Sequence, residues 1–151
     1  MRLQVWLISG MDIESKQATK LLAAIIECNE KLKAMAKDFE SRPEVSKVYH
    51  EFEWNKNGDF IESGAWPTYW VDGYVDVSLR NGHSIWWEIN VEWDAEKWIF
   101  EASVNLPGEY GPNTLKEFPD RVAHTIDDFI VQLEEGMKGL TGSANLIETQ
   151  M

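Results

Sequence analysis

Residues 84–101 read SIWWEINVEWDAEKWIFE, four tryptophans and five acids in eighteen residues. Tryptophan favours burial and glutamate favours water, so a stretch rich in both needs a structure that sends neighbours in opposite directions. A β-strand does this, because successive side chains point to opposite faces. Ile85, Trp87, Ile89, Val91 and Trp93 alternate with Trp86, Glu88, Asn90 and Glu92. The same period of two precedes this stretch, where Val71, Val75, Val77 and Leu79 alternate with Asp72, Asp76 and Ser78. It also follows it, where Trp98, Phe100, Ala102, Val104 and Leu106 alternate with Ile99, Glu101, Ser103 and Asn105. Three consecutive strands are predicted.

Their register follows from the requirement that directly paired residues share a face. A two-residue Asn81-Gly82 turn would set Val77 against Trp86 and mix the faces. A three-residue Arg80-Asn81-Gly82 loop, with Gly82 in the left-handed position of a bulge, pairs Val77 with Ile85, Val75 with Trp87 and Val71 with Val91. In the next hairpin a four-residue loop, Asp94 to Lys97, pairs Trp93 with Trp98, Val91 with Phe100, Ile89 with Ala102 and Trp87 with Val104. Trp87, Trp93 and Trp98 then point to a core. The opposite face collects Trp70, Asp72, Tyr74, Asp76, Trp86, Glu88, Glu92 and Glu101. Upstream, VSKVYHEFEW and FIESGAW around Lys56-Asn57-Gly58 read as a further hairpin that either extends the sheet or folds over that face.

Outside the strands the period changes to that of a helix. From Asp12, a potential N-cap, the apolar positions Ala18, Leu21, Leu22, Ile25, Cys28, Leu32, Met35, Ala36 and Phe39 recur at three- and four-residue steps until Pro43. A second stripe runs through Leu115, Phe118, Val122, Ile126, Phe129, Leu133, Met137 and Leu140. Thr114 and Glu117 suit a capping box, and Pro119 suits a first helical turn. The predicted architecture is α+β: one domain over residues 1–151, an antiparallel meander of four to six strands, and a long N-terminal and a long C-terminal helix packed on one face.

The net charge of −12 is regional. Between Val48 and Tyr110 twelve acids face three bases, leaving only −3 for the rest of the chain, and seven of the eight tryptophans lie in that window. Such a field repels nucleic acid and anionic membrane and attracts a basic partner. The apolar N-terminal LQVWLIS is too short to span a membrane. The lone cysteine, Cys28, excludes an internal disulfide and suits a reducing, cytoplasmic compartment.

Motifs that carry chemistry are scarce. His50, His83 and His124 are scattered, without the spacing of a metal site, and no cofactor-binding loop is present. Asp120, His124, Asp127 and Asp128 fall at one-turn helical steps, which reads as a solvated helix face with some resemblance to a general-base arrangement. Paired carboxylates are the best argument for an enzyme. Glu88 lies about 13 Å from Glu92 along one strand and nearer to Asp76 or Glu101 across strands, but a small meander offers little of a glycosidase's depth. No catalytic residue is assigned.

Size, acidity, tryptophan content and the strand-strand-strand-helix run from Tyr69 to Leu140 resemble the small immunity proteins that bacteria use to neutralise their own toxins, many of them basic nucleases. No signature motif accompanies this resemblance, so no residue role transfers with it. It implies a monomeric or homodimeric, non-enzymatic protein that binds a basic partner, neither nucleic acid nor membrane. A small-ligand or carbohydrate-binding module built on Trp70, Tyr74 and Trp86 is the alternative, as is a structural subunit that oligomerises through the same face.

Overall fold

A computed structural model describes residues 2–4, 12–54, 69–94 and 97–151. The chain is α+β. Strands β1 (Arg2–Gln4) and β2 (Asp12–Glu14) form a two-stranded antiparallel sheet. Helix α1 (Ser15–Glu40) follows, and then the strands β3 (Val45–Trp54), β4 (Tyr69–Leu79), β5 (Ser84–Asp94), β6 (Lys97–Leu106), β7 (Asn113–Glu117) and β8 (Arg121–Ala123). Helix α2 (Ile126–Thr141) and a terminal 3-10 segment (Ala144–Gln150) complete the order. Among the described residues, no helix is long and apolar enough to cross a membrane.

Strands β3 to β7 lie side by side in sequence order as an antiparallel meander, and β8 pairs with β6 beyond the end of β7. Both predicted hairpin registers are present. Val77 faces Ile85, Val75 faces Trp87 and Val71 faces Val91, and the turn uses Gly82 at φ 92°, a conformation that glycine adopts without steric cost. In the second hairpin Val91 faces Phe100 and Trp93 faces Trp98. Pairing there runs one step beyond the predicted loop, to Asp94 and Lys97, because each further pair satisfies backbone groups that a wider loop would leave to water. The side chain of Trp93 lies outside the described residues.

Two expectations are corrected, and one left open is decided. Asp12 is not a helix cap: Asp12–Glu14 hydrogen-bonds to Arg2–Gln4, and α1 begins at Ser15. The second apolar stripe is helical only from Ile126. Its first members, Leu115 and Val122, belong to β7 and β8, because the outer edge of β6 needs partners for its N–H and C=O groups. Thr114 accordingly sends its hydroxyl to Asn105 Oδ1 (3.4 Å) instead of capping a helix. The N-cap of α2 is Thr125, whose hydroxyl accepts from Asp128 N at 3.1 Å, and Asp127 and Asp128 in the first turn favour the positive end of the helix dipole. Finally, VSKVYHEFEW pairs along its length with β4, so it extends the sheet. The proposed turn at Lys56-Asn57-Gly58 and the segment FIESGAW lie outside the described residues.

The buried cluster joins Leu21, Ile25, Leu32 and Phe39 of α1 and Phe129, Leu133, Met137 and Leu140 of α2 to alternate residues of the sheet, among them Val75, Trp87, Val91, Trp98 and Phe100. Phe39 meets Trp87 with ring centroids 4.7 Å apart, and Phe129 stacks on Trp98 at 5.0 Å. The Trp87 indole N–H donates to Ser143 Oγ (3.2 Å), which gives a buried polar atom its partner. Cys28 is buried, and burial pushes its thiol up to about 12.

Candidate functional site

In an antiparallel sheet the residues facing each other across strands form rows, and the register builds these rows on the side opposite Trp87 and Val91. One row runs Tyr49, Asp76, Trp86, Asn105. The next runs Glu51, Tyr74, Glu88, Ser103, Glu117. The third runs Glu53, Asp72, Asn90, Glu101, and Glu92 faces Ile99 beyond it. Eight carboxylates thus share one sheet face with three aromatic rings.

Of the residues expected on this face, Asp72, Tyr74, Asp76, Trp86, Glu88, Glu92 and Glu101 lie there and are half-buried. Trp70 belongs to β4, but its side chain lies outside the described residues. The sequence reading missed Tyr49, Glu51 and Glu53. Their alternation with Val48, His50 and Phe52 is visible in the sequence, but local pattern leaves open whether this segment extends the sheet or folds over the face, and the pairing of β3 with β4 decides it. Glu117 was missed because it was assigned to a helix.

The face has internal order. Tyr74 donates its hydroxyl to Glu51 Oε2 at 2.6 Å, which raises the phenol's proton affinity, and its ring lies 6.0 Å from that of Tyr49. Glu51 and Glu53 stand two apart on β3 and influence each other's protons. Glu53 and the Tyr74 hydroxyl hold Glu51 below the usual carboxylate range, while Glu51 raises Glu53, so a proton that enters this pair resides on Glu53. Asn90, with its amide turned to suit its neighbours, donates to Asp72 Oδ1 at 2.8 Å. Asp76 differs, because its Oδ1 is shielded from solvent and has no hydrogen-bond partner among the described residues.

Burial raises the carboxyls of Asp72, Asp76 and Glu101; the neighbouring acids Glu88 and Glu51 add to the effect at Asp72, and Asp120 and Glu92 at Glu101. A carboxyl whose folded value lies above its unfolded one retains its proton longer in the folded state, so stability falls as pH rises through that value. Asp76→Asn should therefore stabilise the protein at about pH 7.5 by up to about 1 kcal/mol, the cost of an unpartnered acceptor reduced by partial solvation. The gain should shrink as pH falls through the raised value and vanish below about pH 4, where the unfolded aspartate also takes up its proton. Urea denaturation of both proteins across this range checks it, and a gain that persists at low pH would separate it from the charge.

The other candidate chemistry does not assemble. Asp120 precedes β8 and His124 precedes α2, so Asp120, His124, Asp127 and Asp128 do not share one helix face. His83 lies on the hairpin rim with Nδ1 2.9 Å from Gln150 O, and His50 contributes to β3, its proton affinity lowered by burial and by Lys33. Among the described residues no group of three or more His, Cys, Asp or Glu side chains is placed to hold a metal ion. An open groove of about 710 Å³ runs between α1 and α2, lined by residues such as Glu27, Lys31, Asp38, Glu134 and Lys138. The charges there alternate in sign, and Lys31 pairs with Glu27 at 3.9 Å, as on a solvated helix surface.

No protein-family model matches the chain, and comparison with curated proteins and with solved structures finds no significant match.

Proposed function

We propose that the protein is a non-enzymatic binding module whose acidic, aromatic sheet face docks a basic protein. Both helices lie against the other face of the sheet in this reading, which leaves the rows of Tyr49, Glu51 and Glu53 open to a partner. The observation that carries it is the register itself, which gathers eight carboxylates around Tyr49, Tyr74 and Trp86 on a sheet surface. Acids attract a basic partner over a distance, and half-buried aromatic rings offer contact area at low entropic cost, the residue types that dominate interface energetics. The partner class that fits this charge is a basic toxin such as a nuclease, and the protein would act as its cytoplasmic immunity factor.

The test is co-expression with the product of the neighbouring gene, followed by binding kinetics at two salt concentrations. Wild type should restore growth. Glu88→Gln with Glu92→Gln should slow association about ten-fold at low salt and flatten its salt dependence, because exposed charges act through steering. Trp86→Ala should instead speed dissociation about thirty-fold, about 2 kcal/mol of desolvated contact. If the double glutamine variant associates at the wild-type rate with an unchanged salt slope, the face serves solubility and the proposal fails.

A further inference from the structure

We infer that the loop of residues 107–112, between β6 and β7, is a rigid anchor that carries Tyr110 into an apolar pocket of the basic partner. This rests on the reading of the sheet face as a docking surface and adds where that contact is clamped and what the partner must offer there. The first observation is a side chain that the fold does not use. Tyr110 is 96% exposed, against 54% for Ile26, the next most exposed large apolar side chain among the described residues. Tyr74 is tied to Glu51 and lies beside Tyr49, whereas the ring and hydroxyl of Tyr110 have no such contact among the described residues. Glu109 and Tyr110 occupy the centre of a turn, where backbone geometry favours glycine, proline, asparagine or aspartate. Neither core packing nor turn formation accounts for the ring.

The second observation is that the loop is closed and held. A Cβ on Gly108 would run into the Gly111 carbonyl oxygen and stand 2.8 Å from Asn113 Nδ2, so the two arms of the loop touch. Gly111 has φ 133°, which glycine adopts without steric cost, and Pro107 and Pro112 restrict the backbone at both ends. Tyr110 is thus presented on an ordered platform, and seating it in a partner immobilises little beyond its own two side-chain torsions. The third observation is position. The row Tyr49, Asp76, Trp86, Asn105 continues to Thr114 on β7, and the loop begins two residues after Asn105. A partner that covers Trp86 reaches the loop as well. Glu109 sets a carboxylate beside the ring, so the complementary feature is an apolar slot for one phenol, with lysine or arginine at its mouth and a hydrogen-bonding group for the hydroxyl.

The experiment uses the full chain and the product of the neighbouring gene, with association and dissociation followed at low and high salt. Tyr110→Ala should dissociate about twenty-fold faster at both salt concentrations and associate at the wild-type rate, because a ring seated in a pocket acts on the bound state and carries no charge. Tyr110→Phe keeps the ring and should dissociate no more than about three-fold faster. Glu88→Gln with Glu92→Gln should show the reverse pattern, slower association with dissociation nearly unchanged. Tyr110→Ala should melt at the wild-type temperature, since the side chain is exposed, which keeps misfolding from imitating the result. A second readout needs no substitution: on treatment with tetranitromethane and peptide mass mapping, Tyr110 should be nitrated readily in the free chain and protected in the complex. Dissociation of Tyr110→Ala within about two-fold of wild type, or equal nitration of Tyr110 in the free and bound chain, overturns the anchor. The docking face then stands, provided binding still weakens with salt and in the double glutamine variant. If the product of the neighbouring gene does not bind wild type, the docking reading falls and the anchor with it.

Discussion

Trp87→Ala is expected to cost about 3–5 kcal/mol, a large part of the stability of a domain this size. Trp87 is fully buried, its ring lies 4.7 Å from that of Phe39 in α1, and its indole N–H reaches Ser143 just after α2. One side chain therefore ties the middle of the sheet to the long helix and to the chain leaving α2. Truncation removes all three contacts and leaves a cavity that the surrounding strands, held by their own hydrogen bonds, close only in part. Trp87→Phe retains much of the apolar volume and loses the indole N–H, so it should cost clearly less. Equilibrium urea denaturation measures both. A loss below about 1 kcal/mol for the alanine variant would place Trp87 outside the core.

Gly136→Ala should destabilise by about 1–3 kcal/mol, the opposite of what helix propensity alone predicts. In a free helix this change gains about 1 kcal/mol. Here Gly136 is buried in α2 where the helix crosses Phe100 of β6, and an added Cβ would stand 2.6 Å from Phe100 Cδ1 and closer still to Cε1. The ring has little room to move: Phe100 is itself buried, and its backbone is paired to Val91 on one side and Arg121 on the other. Gly139→Ala on the same helix is the control. Its Cβ would meet Phe118 at 3.7 Å, ordinary contact, so propensity should prevail and the variant should be stabilised by up to about 1 kcal/mol. Melting curves in which both substitutions stabilise would mean that α2 does not approach β6 this closely.

The two helical glycines mark a limit on what a sequence shows: the repeat of apolar positions puts Gly136, three residues after Leu133 and four before Leu140, on the stripe and Gly139 beside it, but it does not show that the Phe100 ring stands over Gly136. The same limit applies to Leu115 and Val122. Their spacing fits the helical stripe that continues through Phe129 and Leu133, yet they lie in strands and are exposed. Local pattern was outweighed there by the unpaired edge of β6, a demand that exists only once the sheet has formed.

What the chain determined by itself was the centre of the sheet. Alternation in Tyr69–Leu106, together with a glycine suited to a left-handed turn at Gly82, admits one register in which apolar residues oppose apolar residues, because a one-residue slip would put every side chain on the wrong face. The tryptophans of the opening stretch are separated on that basis, Trp87 and Trp98 buried and Trp86 beside the acids. Tertiary structure alone decided that β3 lies against β4, and so that Tyr49, Glu51 and Glu53 complete the acidic face. Pairing between segments separated by a long connection depends on which edge is open and on the packing of α1 above it, and neither leaves a mark in the local sequence. It also decided that Asp76, one of several similar acids by pattern, holds a shielded oxygen without a partner among the described residues, since solvent exclusion at a single atom comes from the side chains that the fold brings around it.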